Sequence, residues 1–332
     1  MSGASRSAAA GDEGLGLIHG PVGAEDIVHL PRTPWLIASG LNLGAPAQMS
    51  LVDTRSKNAA ALSVTYPPCT QGDRDASPPD PSRMSTDGLA LRAADGDALF
   101  VYACNHGDRN AIEIFAVDVG AAQPSLRWAG CARLPPTALP NAVRPLPDGS
   151  LLAICPNDPT DPDCWARMAR GENTGRILKW SAGRQLEELP NSRMSGGNGL
   201  EISDDASLVY ASAWSARELI VLSLRDNSRR AISLDFMPDN IHALADGTLL
   251  VAGQRTTVEA IADCTGASCP QPWVVVRIDP RNGDVQQLLR GEGTSQVNYA
   301  CGALTVGDTM YVTVRGDRCI VYTAAKDLPS MG

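Results

Sequence analysis

The chain has 332 residues, with 37 Asp and Glu against 28 Lys and Arg and a formal net charge of −9. That balance excludes nucleic acid and anionic membrane surfaces as electrostatic partners. No apolar run approaches the ~18 residues of a membrane span, and the length suits one large all-β unit as readily as two average domains.

Residues 1–22 open with MSGASRSAAAGDEG, small and polar, without the apolar stretch of a secretory signal. They read either as a disordered leader or as a segment that closes a ring from the N-terminal side. From residue 23 to 325 one beat recurs, and residues 326–332 form a tail. In chain order the beats are RTPWLIAS (32–39), DGDALFVYA (95–103), DGSLLAI (148–154), DASLVYAS (205–212), DGTLLVA (246–252) and GDTMYVTV (307–314). Each is a turn of Asp, Gly or Pro followed by a short apolar strand. Most are followed by a polar turn and a second strand, such as AIEIFAVDV or WVVVRID. Beats about 40 to 65 residues apart match the blade period of a propeller, and no helical periodicity persists long enough to compete. The expected architecture is all-β, a single six-bladed β-propeller over 23–325. The Pro/Asp/Ser stretch 67–85 is a surface loop, because the beat continues on both sides of it.

Nine cysteines punctuate the chain. Cys155 and Cys164 flank a Pro/Asp-rich loop, and Cys264 and Cys269 stand five apart, spacings that suit loop-closing disulfides. Disulfides would place the protein in the periplasm or outside the cell, and reduced thiols in the cytoplasm. No Cys/His cluster has the spacing of a zinc site.

In a propeller, the first residues of the innermost strands converge on a central tunnel. Four segments preceding the beats supply oxygen donors there: GAEDIVHL (23–30), LPNAVRPLPDG (139–149), GGNGLEIS (196–203) and MPDNIHAL (237–244). They offer Glu25, Asp26, Asn141, Asn198, Asp239 and Asn240, carboxylates and amides of the kind that hold hard cations such as Ca²⁺. Taken singly, each segment is ordinary Asx-turn chemistry. Trp165 and Trp214 either line a pocket or pack within blades, and His242 points either to the tunnel or into its blade.

These segments resemble, in order over residues 23–322, the serum paraoxonase/arylesterase family. EDIVHLPRTPWLIASGL is similar to the family's opening strand, and ALFVYACNHGDRNAIEIFAVD to its strand, NH-containing turn and strand. LPNAVRPLPDG, MSGGNGLEISDDASLVYASAW and SLDFMPDNIHALADGTLLVAG resemble its metal-bearing blocks. The related gluconolactonase and senescence-marker superfamily shares the architecture. The resemblance implies a Ca²⁺ held by Glu25, Asn141, Asn198, Asp239 and Asn240, and hydrolysis of a lactone or ester. Where the family has two histidines nineteen residues apart, this chain has Asp87 and His106, the implied water-activating pair. Ala142 stands where paraoxonases have an acid for a second, structural calcium. No GxSxG or catalytic-cysteine signature points to a covalent route. The Asp87 departure leaves open an isomerase or lyase on the same metal, and a non-catalytic binding propeller is the remaining alternative.

Overall fold

The computed structural model describes residues 14–41, 47–94, 98–264, 270–315 and 318–328. Its strands form six mainly antiparallel sheets; in four of them the earliest strand is on the inside and successive strands step outward, and blades two and six carry earlier strands on their outer edges. The innermost strands, from blade one to blade six, are Ile27–His29, Thr86–Ala93, Ala142–Pro145, Gly197–Ile202, Met237–Ala243 and Ala300–Val306. The fold is a six-bladed β-propeller, as expected. The sixth blade takes its outermost strand from the other end of the chain: Gly16–His19 pairs antiparallel with Cys319–Ala324. Blade two is widened by Ser63–Thr65 and Gln71–Gly72, which lie parallel against its outer strand.

The recurring beats are the second strands, and those of their leading turns that lie among the described residues reverse the chain from the innermost strand. The Asp-Gly turns show why these residues are needed. Asp148 and Asp246 each accept a hydrogen bond from the backbone N–H two residues on, at Ser150 and Thr248. The glycine between, Gly149 or Gly247, takes a φ of 82° or 79°, where a side chain is disfavoured.

Apolar side chains meet in the wedges between blades. Ile37, Leu51, Leu89, Phe115 and Trp128 fill the wedge between blades one and two. Leu250, Trp273, Val275 and Val312 fill that between blades five and six. Ile18, Leu36, Tyr311 and Ile320 join blade six to blade one. Each buried Leu, Ile or Phe contributes about 1.5–3 kcal/mol, so the ring is stabilised between its blades and the axis is free for polar side chains.

Two short helices, α1 (Cys164–Ala169) and α2 (Val258–Ala262), pack together beside the tunnel mouth through Met168, Val258 and Ile261. No helix among the described residues is long and apolar enough to cross a membrane. The expected bridge between Cys155 and Cys164 is not formed, and both are free, buried thiols. Cys155 packs into the apolar wedge between blades two and three, whereas Cys164 opens α1 and faces a cavity at the tunnel mouth. Asp161 of their loop pairs instead with Arg167 of α1 (2.6 Å). The other expected pair includes Cys269, which lies outside the described residues.

Candidate metal centre

Each blade sends one side chain to the tunnel mouth from the start of its innermost strand. In blade order these are Glu25, Asp87, Asn141, Asn198, Asp239 and Cys301, and all six line one cavity of about 300 Å³. Four stand where the pairing of innermost and second strand slips, between Thr86 and Leu89, Gly197 and Leu200, Pro238 and Ile241, and Ala300 and Gly302. A bulge of this kind bends the strand locally and re-aims a side chain that the ladder would otherwise direct into the blade. The glycines after Asp87 and Asn198 are steric requirements. A Cβ on Gly88 would lie 2.4 Å from the Asn141 carbonyl oxygen, and one on Gly199 2.2 Å from that of Asp239. Adjacent blades approach that closely at the ring.

Three ring members are carboxyls, 2–3% exposed, and each has one oxygen that accepts from no N–H group, Glu25 and Asp87 lying close enough to share a proton. Glu25 accepts through Oε1 from Asn240 Nδ2 (2.7 Å) while Oε2 is bare. Asp239 accepts through Oδ2 from Gln254 Nε2 (2.7 Å) while Oδ1 is bare. Asp87 Oδ1 is bare as well, and its Oδ2 lies 3.6 Å from His106 Nε2. Asn141 Nδ2 donates to Asn198 Oδ1 at 2.9 Å, so the two amides sit side by side.

Burial raises the pKa of Glu25 well above the usual carboxylate range, and the neighbouring charges of Asp87 and Asp239 add to it. Burial also raises Asp87, partly offset by His106, and pushes Asp239 up to about 7 against the bond from Gln254. Buried carboxylates carry a large desolvation cost unless something positive meets them; Arg315 offsets part of it for Asp87 and Asp239, one cation against three acids. Bare oxygens facing one cavity, with two amides in the same ring, fit a divalent cation.

No family model and no curated protein matches the chain. Solved structures do. The chain is similar over 96% of its length to a luciferin-regenerating enzyme, with 13% identity, 96% of that chain covered and a TM-score of 0.59. It is similar over 95% to a gluconolactonase from Xanthomonas campestris, at 18% identity over 89% of that chain and a TM-score of 0.58. A calcium-binding protein, regucalcin from Agrobacterium tumefaciens, aligns over 92% of this chain and 90% of its own, at 14% identity and a TM-score of 0.55. The fold is that of the gluconolactonase and regucalcin propellers.

Within this propeller the remaining expected residues divide by position. Asn240 does not line the cavity; it stands behind Glu25, donating to its Oε1 and, at 3.3 Å, to its backbone carbonyl. Asp26 faces away, down the tunnel. Its carboxylate accepts from the backbone N–H groups of Ile27 and Leu89 (2.8 Å each) and meets His242 Nε2 at 2.8 Å, so protein donors satisfy it. Beside it Arg144 bridges Glu201 at 2.8 and 3.1 Å and donates to three backbone carbonyls. A larger cavity of about 750 Å³ opens at that far end, but there the axial charges already pair with one another.

His106 lies beside Asp87 in the turn NHGD. Asn105 Oδ1 accepts from Gly107 N (2.9 Å) and Asn105 Nδ2 donates to Asp108 (2.9 Å), fixing the turn. His106 Nε2 sits 2.5 Å from the Pro140 carbonyl. A carbonyl only accepts, so this nitrogen carries a proton.

Trp165 and Trp214 both line the cavity, edge to face at 6.2 Å. Trp214 also donates to Gln254 (2.8 Å), the residue that holds Asp239. Arg315, with its guanidinium 5.2 Å over the Tyr299 ring, completes the cavity wall. Sequence reasoning missed Cys301, Gln254, Tyr299 and Arg315. For Cys301 a signal existed: Cys301-Gly-Ala repeats the pattern of Asp87-Gly-Leu and Asn198-Gly-Leu.

Proposed function

We propose that the protein is a metal-dependent hydrolase of lactones or esters, with Ca²⁺ as its ion. The observation that carries this reading is the convergence of three buried acids, each with a bare oxygen, on a cavity walled by Trp165, Trp214 and Met168. The likeness to a gluconolactonase and to a calcium-binding propeller supports it. Glu25, Asn141, Asn198 and Asp239 would hold the ion, which when bound polarises a carbonyl oxygen and stabilises the oxyanion formed on attack. Asn240 and Gln254 position Glu25 and Asp239.

Asp87 is the base. Its bare Oδ1 faces the cavity, and burial makes it more basic than an exposed aspartate. It takes a proton from the attacking water and returns it to the alkoxide released when the acyl C–O bond breaks. His106 cannot accept at the nitrogen facing Asp87, because that nitrogen donates to Pro140; it stands 3.6 Å from Asp87 Oδ2, beyond hydrogen-bond reach, and serves as part of the cavity wall. The apolar and aromatic wall excludes competing water and seats the acyl chain.

Turnover of a panel of lactones and aryl esters should vanish on chelation and return with Ca²⁺. Asp87→Asn should lower kcat by roughly 10²–10⁴-fold while the thermal shift on adding Ca²⁺ remains. Turnover that survives complete metal removal would overturn the proposal.

A further inference from the structure

We infer that Cys301 is a metal ligand, and that the corner formed by Glu25, Asp239 and Cys301 takes a thiophilic divalent ion of the Zn²⁺ class in competition with Ca²⁺. The inference rests on the ring being a metal site, as proposed above, and adds which ions it selects.

Ligand atoms of Glu25, Asp239 and Cys301 all lie within 4.8 Å of one another. Both carboxylates are buried and present a bare oxygen, Glu25 Oε2 and Asp239 Oδ1. The cysteine is placed there by the same device as its neighbours. The pairing slip between Ala300 and Gly302 frees it from the ladder of blade six, and it is fully buried. Other cysteines serve as apolar filling: Cys104 and Cys155 pack in the wedge between blades two and three, Cys131 and Cys319 in other wedges. Cys301 instead lines the cavity with the acids.

Hard ions such as Ca²⁺ gain little from sulfur, and thiolate with carboxylate suits Zn²⁺, Co²⁺ or Cd²⁺. Three protein ligands with a position left for water is the make-up of catalytic zinc sites. The thiol binds as thiolate, so its proton leaves to solvent as the metal–sulfur bond forms.

The test uses the full chain, stripped of metal and kept reduced with a phosphine, then titrated with Co²⁺. A thiolate-to-Co²⁺ charge-transfer band should appear at one equivalent and shrink as Ca²⁺ is added. Cys301→Ser should lose the band and bind Co²⁺ at least about 10-fold more weakly. Cys164→Ser, which alters the other cavity cysteine, should keep it. Cys301→Ala serves equally if the serine variant does not fold. A wild-type protein that binds Co²⁺ without the band, or a band that survives in both Cys301 variants, overturns the inference; the functional reading stands if Ca²⁺ still supports turnover. A band that depends on Cys301 in a protein that hydrolyses no lactone or ester upholds the inference and defeats the hydrolase.

Discussion

Replacing Glu25 with Gln should stabilise the metal-free protein and weaken the metal-bound one. Glu25 is 3% exposed, and its Oε1 accepts from Asn240 at 2.7 Å; a glutamine carbonyl retains that bond. The other oxygen is bare and shares its cavity with Asp87 and Asp239, whose charges raise the Glu25 pKa beyond the effect of burial. Glutamine removes one of three crowded acids and places an N–H toward the other two. A hydrogen bond to a charged group is worth about 1.5–3 kcal/mol, so the metal-free variant should melt several degrees above wild type, at roughly 2–4 °C per kcal/mol. With Ca²⁺ at 100 times its Kd, wild type should gain about 2.7 kcal/mol. The variant, lacking a charged ligand, should gain little. The order of melting temperatures therefore reverses between chelator and Ca²⁺, which thermal unfolding in the two buffers reads directly. If Glu25 were only a structural acid, the substitution would shift stability by the same amount in both buffers, and that result would refute the reasoning.

The pH dependence follows from Asp239. Its pKa is raised from 3.8 to about 7 by burial, so the folded, metal-free protein holds a proton that the unfolded chain releases. Stability should therefore be greatest below about pH 4 for this group and be lost as pH rises toward 7. Urea midpoints above and below that window should show the fall in chelator and its disappearance with Ca²⁺. At the far end of the tunnel, Arg144→Met should cost about 1–3 kcal/mol, because the Leu89, Val143 and Ile241 carbonyls lose a donor and Glu201 keeps only the Ile202 and Ala243 N–H groups. Urea unfolding should show that loss while Ca²⁺ affinity is unchanged; an equal loss of affinity would mean that the two ends of the axis are coupled.

The architecture was legible because its signals are local. Asp148-Gly149 and Asp246-Gly247 specify a reversal through a side-chain acceptor and a positive φ, and each introduces a short apolar strand. The ring was legible in part, because convergence at the innermost strand starts follows from the fold once the beats are counted. A search for oxygen donors then passed over Cys301, although its Xaa-Gly-apolar setting matches Asp87 and Asn198; the position was readable and its chemistry was not the one sought. What the sequence hid is the local departure from alternation. Regular pleating sends successive side chains to opposite faces, which describes Glu25 at the cavity and Asp26 turned down the tunnel to Leu89 and His242. In blade five the slip between Pro238 and Ile241 breaks that rule, bringing Asp239 to the cavity and Asn240 against Glu25. Two residues of one motif thus divide into a ligand candidate and its support. The division is set by where the strand pairing slips, and that depends on the backbone of the next blade, which a linear motif does not contain.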